Sequence, residues 1–320
     1  MMYVWFIVGV VLTLLGASWL VDGASGIAKR YNVSEFVIGV AIVGIGTSMP
    51  ELTVSLFGSI RGSAEIAIGN VTGSNMFNTL LILGITAMIN PILFTRDNLR
   101  RDMHLNTIAS IFLLAFAYLP IAIHPAESLE ISRLEGAIFL LMFAGYLLMT
   151  FKNGKTDAAP EADCDLQDKP KPLWLLILMV IAGIAALVAG GNLFVDNGCL
   201  IARVLGVSET VIAITFMACG TSLPELVTCI VAAAKKRNQL ALGNILGSNV
   251  SNILLILGCS SLVRPLAVDP VNLEGFIFLI GAAVLLYASA LIPKKHQLTW
   301  YKGIFFIGLY AAYIYFSVIA

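Results

Sequence analysis

The feature that most constrains this chain is a series of long apolar runs that recurs from one end to the other. We count ten runs, each close to the roughly 20 residues that an α-helix needs to cross a bilayer. Hydrophobic residues make up 59% of the chain and charged residues 12%, a composition far from that of soluble domains. The first run lacks the cleavage site of a signal peptide, so it is interpreted as a span as well. We therefore predict an all-α polytopic membrane protein with ten transmembrane helices.

Lysine and arginine fall mainly on one side of these spans. With the N-terminus placed outside, fifteen basic residues fall in loops on the cytoplasmic face and four on the opposite face. This bias follows the positive-inside rule and predicts that both termini lie outside the plasma membrane. The net charge of zero gives no indication of a nucleic-acid partner.

One polar segment interrupts the apolar pattern between the fifth and sixth runs. It covers residues 152–171, reads KNGKTDAAPEADCDLQDKPK, and is interpreted as a cytoplasmic linker. The linker divides the chain into a first five-helix unit, residues 1–151, and a second, residues 172–320.

The two units contain the same sequence pattern. Residues 46–84 read GTSMPELTVSLFGSIRGSAEIAIGNVTGSNMFNTLLILG, and residues 220–258 read GTSLPELVTCIVAAAKKRNQLALGNILGSNVSNILLILG. A shift of 174 residues aligns them without a gap, and 18 of 39 positions are identical. Because each unit has an odd number of spans, the second enters the membrane upside down. The sequence thus predicts two inverted-topology five-helix repeats, an architecture typical of secondary transporters.

Two glutamates, Glu51 and Glu225, lie deep within apolar runs, whereas the other acidic residues lie in loops or near the ends of runs. A carboxylate at mid-membrane is costly, so it normally marks a functional site. The alternative is a protonated glutamate that holds helices together, which the recurrence of the residue in both units argues against. No lysine or arginine lies at the same depth, so the counter-charge must come from solution as cations or protons. Asp22 and Asp196, near span ends, are interpreted as interfacial residues, with a gating role as the alternative.

The neighbours of these glutamates carry oxygen atoms suited to a cation. Thr47, Glu51 and Ser55 recur every four residues and share one helix face. The same spacing relates the hydroxyl and amide residues of the following spans, Ser74 with Asn78 and Ser248 with Asn252. Such oxygen ligands suit Ca²⁺ or Na⁺, while Mg²⁺ fits less well because it keeps its water. The cysteines and histidines show no spacing typical of a redox centre, transition-metal site or catalytic triad.

Pro50 adds backbone oxygens to this set. Proline has no amide hydrogen to donate to the carbonyl of Gly46, and its ring pushes against that turn. We expect a helix break at which the carbonyls of residues 44–47 and 218–221 are free to bind a cation. The small-xxx-small glycines, Gly69 with Gly73 and Gly243 with Gly247, are interpreted as helix-packing positions.

The doubled motif GTS[ML]PEL followed by GN-x-x-GSN-x-x-N resembles the α-repeats of the cation/Ca²⁺ exchanger superfamily, most closely the prokaryotic sodium/calcium exchangers. The resemblance covers essentially the whole chain. It implies that the second, third, seventh and eighth helices form the ion-binding core, and that the first and sixth are long gating helices that slide across it.

The resemblance also implies a ligand set. Glu51 and Glu225 would coordinate Ca²⁺ together with the carbonyls of Thr47 and Thr221. The sodium sites would add the following residues: Ser48, Ser222, Ser74, Ser248, the carbonyl of Ala218, and Asn78 and Asn252 at the centre. Some prokaryotic relatives and the potassium-dependent branch carry aspartate at the position of Asn252, so the amide favours a K⁺-independent exchanger.

The expected function is secondary antiport of Na⁺ against Ca²⁺ by alternating access, with three Na⁺ per Ca²⁺ implied by the family. The alternative is a Ca²⁺ exchanger driven by H⁺ or K⁺, and an ion channel is a further class that the inverted repeat disfavours. An intramembrane enzyme would need a mid-membrane nucleophile and base, which the sequence does not offer. We expect no cofactor, a monomer in the lipid bilayer, and Ca²⁺ and Na⁺ as the transported ions.

Overall fold

The computed structural model describes residues 1–123, 129–153, 171–207, 220–292 and 296–319, and these residues are almost entirely helical. The helices, in chain order, are α1 (Met2–Tyr31), α2 (Glu35–Thr47), α3 (Met49–Arg61), α4 (Ala64–Ile89), α5 (Met103–Ile123), α6 (Arg133–Asn153), α7 (Leu173–Val204), α8 (Leu223–Ala234), α9 (Asn238–Val263), α10 (Pro270–Leu291) and α11 (Trp300–Ile319). Short strands lie between them: β1 (Ile92–Leu93), β2 (Glu130–Ile131), β3 (Leu266–Ala267) and β4 (Gln297–Leu298).

The protein has the helices of a multi-pass membrane protein. Among the described residues, six helices are long and apolar enough to cross a bilayer, or seven if the bent pair α2–α3 forms one span. Residues 208–219, part of the seventh apolar run, lie outside the described residues, as does most of the linker at 152–171. The count of ten spans therefore stays a prediction.

A break separates α2 from α3, as Pro50 led us to expect. The two helix axes meet at 47°, and Ser48 lies between them with φ −81° and ψ 8°. Ser222, just before α8, has nearly the same backbone angles, φ −88° and ψ 7°. In both places proline lies in the first turn of the following helix, where a missing amide hydrogen is tolerated.

The two longest helices, α1 and α7, pack against each other through glycines. A methyl group on Gly16 would lie 2.8 Å from the carbonyl oxygen of Gly183, and one on Gly190 would lie 2.9 Å from that of Gly9. Such close backbone approach is possible only without side chains. Shifting either contact by 174 residues gives the other, since Gly9 corresponds to Gly183 and Gly16 to Gly190.

The small-xxx-small glycines of the second half pack closely against α2. A methyl group on Gly247 would lie 2.7 Å from the Cα of Val40, and Gly243 contacts Phe36, so the packing role is confirmed there. Gly69 and Gly73 have no neighbour of this kind among the described residues. Their expected partners, residues 210–214, lie outside the described part of the chain, so helix packing by Gly69 and Gly73 stays a prediction.

The strands tie the two halves together at their loops. Antiparallel pairing joins β1 to β4, with Ile92 opposite Leu298, and β2 to β3, with Glu130 opposite Ala267. Each pair thus joins a loop of the first half to a loop of the second, and the charge pattern places both loops of each pair on the same side of the membrane.

Replacing Gly16 with alanine is expected to destabilise the protein by about 1–3 kcal/mol, because the added methyl group meets backbone atoms of α7. Thermal unfolding of the purified protein measures the effect. Gly281→Ala is the matched control, since Gly281 is exposed and alanine favours the helix there. Equal melting temperatures for the two variants would contradict the packing described.

Candidate ion-binding site

Glu51 and Glu225 are the two carboxylates at the centre of the helical core. Each is about 1% exposed and lies in the first turn of the helix that follows a break, Glu51 in α3 and Glu225 in α8. The amide hydrogens and dipole of a helix N-terminus favour negative charge at this position. The breaks therefore do more than bend the chain, because they bring two helix N-termini and their carboxylates into the interior.

Each glutamate is held by a serine of the other half. The hydroxyl of Ser222 donates to Oε1 of Glu51 at 2.9 Å, and the hydroxyl of Ser48 donates to Oε1 of Glu225 at 2.9 Å. Both serines lie at the helix breaks, so the break of one half supports the carboxylate of the other. Because Ser48 lies three residues before Glu51 and Ser222 three residues before Glu225, these crossed bonds bring the two glutamates close together.

The second oxygen of each carboxylate, Oε2, is buried and has no hydrogen-bond partner among the described residues. Within the described part of the chain, neither glutamate forms an ion pair with a lysine, arginine or histidine. A buried carboxylate without a partner loses the hydration that stabilises its charge. The arrangement is therefore incomplete without a cation or a proton between the two groups.

Amide side chains surround the same centre. Both amide atoms of Asn78 and Oδ1 of Asn252 are buried and have no partner. Asn252 donates its Nδ2 to Oδ1 of Asn75 at 2.9 Å, and this bond fixes its amide so that the oxygen is the free atom. Asn75 in turn donates to the carbonyl of Asn249 at 3.0 Å. Asn75 of the first GSN motif thus orients Asn252, whereas Asn249 of the second motif donates to the hydroxyl of Thr79.

The serines of the following spans differ in their contacts. The hydroxyl of Ser74 lies 3.0 Å from that of Ser222, within the cluster that holds Glu51. The hydroxyl of Ser248 donates instead to the carbonyl of Gly44 at 3.2 Å. That carbonyl also accepts the amide hydrogen of Ser48 at 3.2 Å. The expectation that the Gly44 carbonyl is free was therefore wrong, because the chain bends after Thr47 and keeps this helical bond.

Thr47 and Thr221 lie at the breaks, and their hydroxyl groups are bound across the halves. Thr47 donates to Oδ1 of Asn244 at 3.2 Å, and Thr221 lies 3.5 Å from Oδ1 of Asn70. Because each hydroxyl donates its hydrogen and keeps its lone pairs, the hydroxyl oxygen and the carbonyl of each threonine are both groups that could be offered to an ion. Ala218, the remaining residue of the expected ligand set, lies outside the described residues.

Asn70 and Asn244 were missed by the sequence analysis, which treated the GN-x-x-G segments as packing glycines. Asn70 donates to the carbonyl of Glu51 at 3.1 Å and to the hydroxyl of Ser55 at 3.0 Å. Ser55 is therefore used in holding Asn70. The signal was present, since both asparagines recur at the 174-residue shift in the doubled GN-x-x-GSN motif.

The donor set indicates a hard cation. The central atoms are carboxylate, hydroxyl and amide oxygens, which suit Ca²⁺ and Na⁺. Among the described residues, no group of three or more histidine, cysteine, aspartate and glutamate side chains is arranged to hold a metal ion. Any cation at this centre would therefore depend on two carboxylates and on neutral oxygens.

Comparison with known proteins gives a consistent result over the whole chain. The family model described as sodium/calcium exchanger protein matches residues 1–152 and 175–319. The sodium/calcium exchanger MaX1 of Methanosarcina acetivorans is 32% identical, with 96% of both chains covered. The putative antiporter CaxA of Alkalimonas amylolytica is also 32% identical, with 98% of this chain and 97% of the relative covered.

Solved structures of a related exchanger have the same fold. The sodium-calcium exchanger NCX_Mj, soaked with 10 mM Na⁺ and 10 mM Sr²⁺, superposes with a TM-score of 0.81 at 32% identity. The match covers 98% of this chain and 97% of the other. The apolar helices, the buried glutamate pair and these matches lead to one conclusion: the chain belongs to the sodium/calcium exchanger protein family.

Proposed function

We propose that this protein is a secondary antiporter that exchanges Na⁺ for Ca²⁺ across the plasma membrane by alternating access. The observation that carries the proposal is the pair Glu51 and Glu225. Each has one oxygen bound to a serine of the opposite half and one oxygen without a partner. Two carboxylates brought close together by these crossed bonds supply the charge for a single Ca²⁺, while Na⁺ ions compete for the same oxygens.

The proposed architecture is ten spans in two inverted repeats, residues 1–151 and 172–320, joined by the linker. Contacts that recur under the 174-residue shift support it. The bond from Ser48 to Glu225 becomes the bond from Ser222 to Glu51, and the contact of Gly9 with Gly190 becomes that of Gly183 with Gly16. Such an arrangement gives the protein two equivalent ways of opening, one on each side of the membrane.

The proposed orientation places both termini outside. The proposal rests on the bias of basic residues, and the strand pairs agree with the loop arrangement that it requires, because each joins two loops for which the charge pattern predicts the same side. Asn238 also donates to the carbonyl of Pro91 at 2.9 Å, joining two further segments expected at the cytoplasmic face. A monomer contains both glutamates and therefore a whole site, so we propose that the monomer is the working unit.

The proposed stoichiometry is three Na⁺ per Ca²⁺. A tenfold Na⁺ gradient supplies roughly 1.4 kcal/mol per ion, and one net charge moving through 100 mV supplies about 2.3 kcal/mol. Three ions and the voltage give about 6.5 kcal/mol, enough for a Ca²⁺ gradient above about 10⁴-fold. Two Na⁺ without net charge would support only about a 100-fold gradient.

Removing either central charge is expected to abolish exchange. Glu51→Gln and Glu225→Gln keep the size of the side chain but leave one carboxylate for a divalent ion, so Na⁺-driven ⁴⁵Ca²⁺ uptake into proteoliposomes should fall to background. Glu65→Gln is the matched control, since Glu65 is exposed in the first turn of α4 and should keep full uptake. Full exchange by both central variants, with unchanged folding, would reject the site.

The coupling ion can be established by imposing gradients separately. We expect an outward Na⁺ gradient to drive ⁴⁵Ca²⁺ uptake and to generate a measurable current, because three charges leave as two enter. K⁺ and H⁺ gradients of the same size, with the voltage clamped by an ionophore, should give no uptake above the leak. Uptake driven by H⁺ or K⁺ alone would favour the alternative, a Ca²⁺ exchanger coupled to one of those ions.

A further inference from the structure

A basic residue at the end of α8 is bound to the long helix α1. Lys235 donates from Nζ to Oδ1 of Asp22 at 2.6 Å and to the hydroxyl of Ser18 at 2.8 Å. The side chains of Lys235 and Asp22 are 32% and 41% exposed, so the pair lies at an accessible edge of the core. Ser18 and Asp22 are one turn apart on α1 and present one polar face to the lysine.

The 174-residue shift gives a corresponding cluster between α7 and α3, and this second cluster is not assembled. Ser18, Asp22 and Lys235 correspond to Asn192, Asp196 and Arg61. Asn192 and Asp196 lie one turn apart on α7, Arg61 ends α3, and all three are exposed. Among the described residues, Asp196 and Arg61 have no ion-pair partner. The corresponding cluster, with its carboxylate and polar neighbour on α7 and its cation at the end of α3, thus has the same groups held apart.

The helices also pack closely at the assembled cluster and loosely at the separated one. Helix α1 lies along α8, whereas α7 and α3, the corresponding pair, scarcely touch. The hydroxyl of Thr228 on α8 is buried with no hydrogen-bond partner, and Thr228 is 1% exposed. Val54, which occupies the corresponding position on α3, is 39% exposed. The structure is therefore closed along α8 and open along α3.

We propose that Asp22–Lys235 and Asp196–Arg61 are alternating latches, of which one is formed in each of the two states of the transport cycle. In the state described here the first latch holds α1 on α8. When the core opens on the Lys235 side, that ion pair breaks and Asp196 reaches Arg61, so that α7 closes on α3. Asn192 then meets Arg61 as Ser18 meets Lys235.

The glycine contacts between α1 and α7 explain how one movement exchanges both latches. Because the backbones of these helices are in contact at Gly9 with Gly190 and at Gly16 with Gly183, displacing α1 from α8 carries α7 with it. One ion pair replaces the other, so neither state leaves both pairs separated at the same time. The energies of the two states therefore stay close, as a cycle that must turn over requires.

The two sides are not equal, which gives the latches a direction. Arg237 makes a second ion pair on the Lys235 side, with Glu35 at 2.9 Å, where the side chains are 21% and 8% exposed. The position that corresponds to Arg237 in the first half is Ser63, which cannot form such a pair. The side closed in this structure therefore carries one ion pair more than the corresponding described residues of the other side, and the orientation proposed above places it at the cytoplasm.

Removing one charge from each ion pair tests the latches, because labelling of a buried position on α8 reports how often the protein opens along α8. The reporter is Thr228→Cys in the full chain with its five native cysteines replaced, labelled by a membrane-impermeant methanethiosulfonate in detergent and choline buffer. Adding Lys235→Gln should speed labelling about two- to fivefold, as expected for the loss of a partly exposed ion pair. Adding Arg61→Gln should slow labelling by a similar factor, because it weakens the latch of the reporter-accessible state. Asp196→Asn should act as Arg61→Gln does.

Faster labelling with Lys235→Gln and slower labelling with Arg61→Gln would support the latches. A general loss of stability would instead speed labelling in both variants. Labelling that changes in the same direction in both variants, or that changes in neither, would overturn the proposal. The inference rests on the proposed function for its place in a transport cycle, but labelling needs no ion gradient. Failure of the latches is therefore distinguishable from failure of Na⁺/Ca²⁺ coupling, which the flux assay reports.

A cross-linking experiment tests the contact that the structure does not contain. Arg61→Cys with Asp196→Cys, and Asp22→Cys with Lys235→Cys, are each treated with a short cleavable bis-thiol reagent in the same background. We expect both pairs to be joined, with exchange lost on joining and recovered on cleavage. Joining of the second pair but not of the first, under the same conditions, would show that Asp196 does not reach Arg61.

Discussion

The rest of the structure depends on the burial of two carboxylates that no basic side chain neutralises. Among the described residues, Glu51 and Glu225 each have a buried oxygen without a partner, and an unpaired buried charge is unstable. The helix N-termini at the two breaks and the serine hydroxyls offset part of that cost. The part of the burial cost that they do not offset can be relieved by a bound cation. The unfavourable burial of the two carboxylates is therefore the source of the affinity for a cation.

The inverted repeat makes this centre dependent on both halves at once. Each carboxylate is bound by a serine from the other half, and each break threonine is bound by an asparagine from the other half. Movement of one half relative to the other therefore changes the surroundings of both carboxylates together. Such linkage is what an exchanger needs, since ion occupancy and access must change in step.

Much of this could be predicted from the sequence, because hydropathy and the 174-residue shift are properties of the chain itself. The glutamates and the break at Pro50 follow from residue type and spacing. The roles of Asn70 and of the Gly44 carbonyl could not, since their hydrogen bonds depend on how separate helices pack. Asp22 and Lys235 are 213 residues apart, and only the packing of α1 on α8 identifies them as partners.

The central claim is that Ca²⁺ and Na⁺ compete for the oxygens of one glutamate pair. Equilibrium binding of ⁴⁵Ca²⁺ to the purified protein, titrated with Na⁺ at constant ionic strength, tests it most directly. The account predicts that one Ca²⁺ binds per chain, that Na⁺ displaces it with a Hill coefficient above one, and that K⁺ does not. Calcium binding that Na⁺ leaves unchanged, or that survives the loss of both carboxylates, would contradict it.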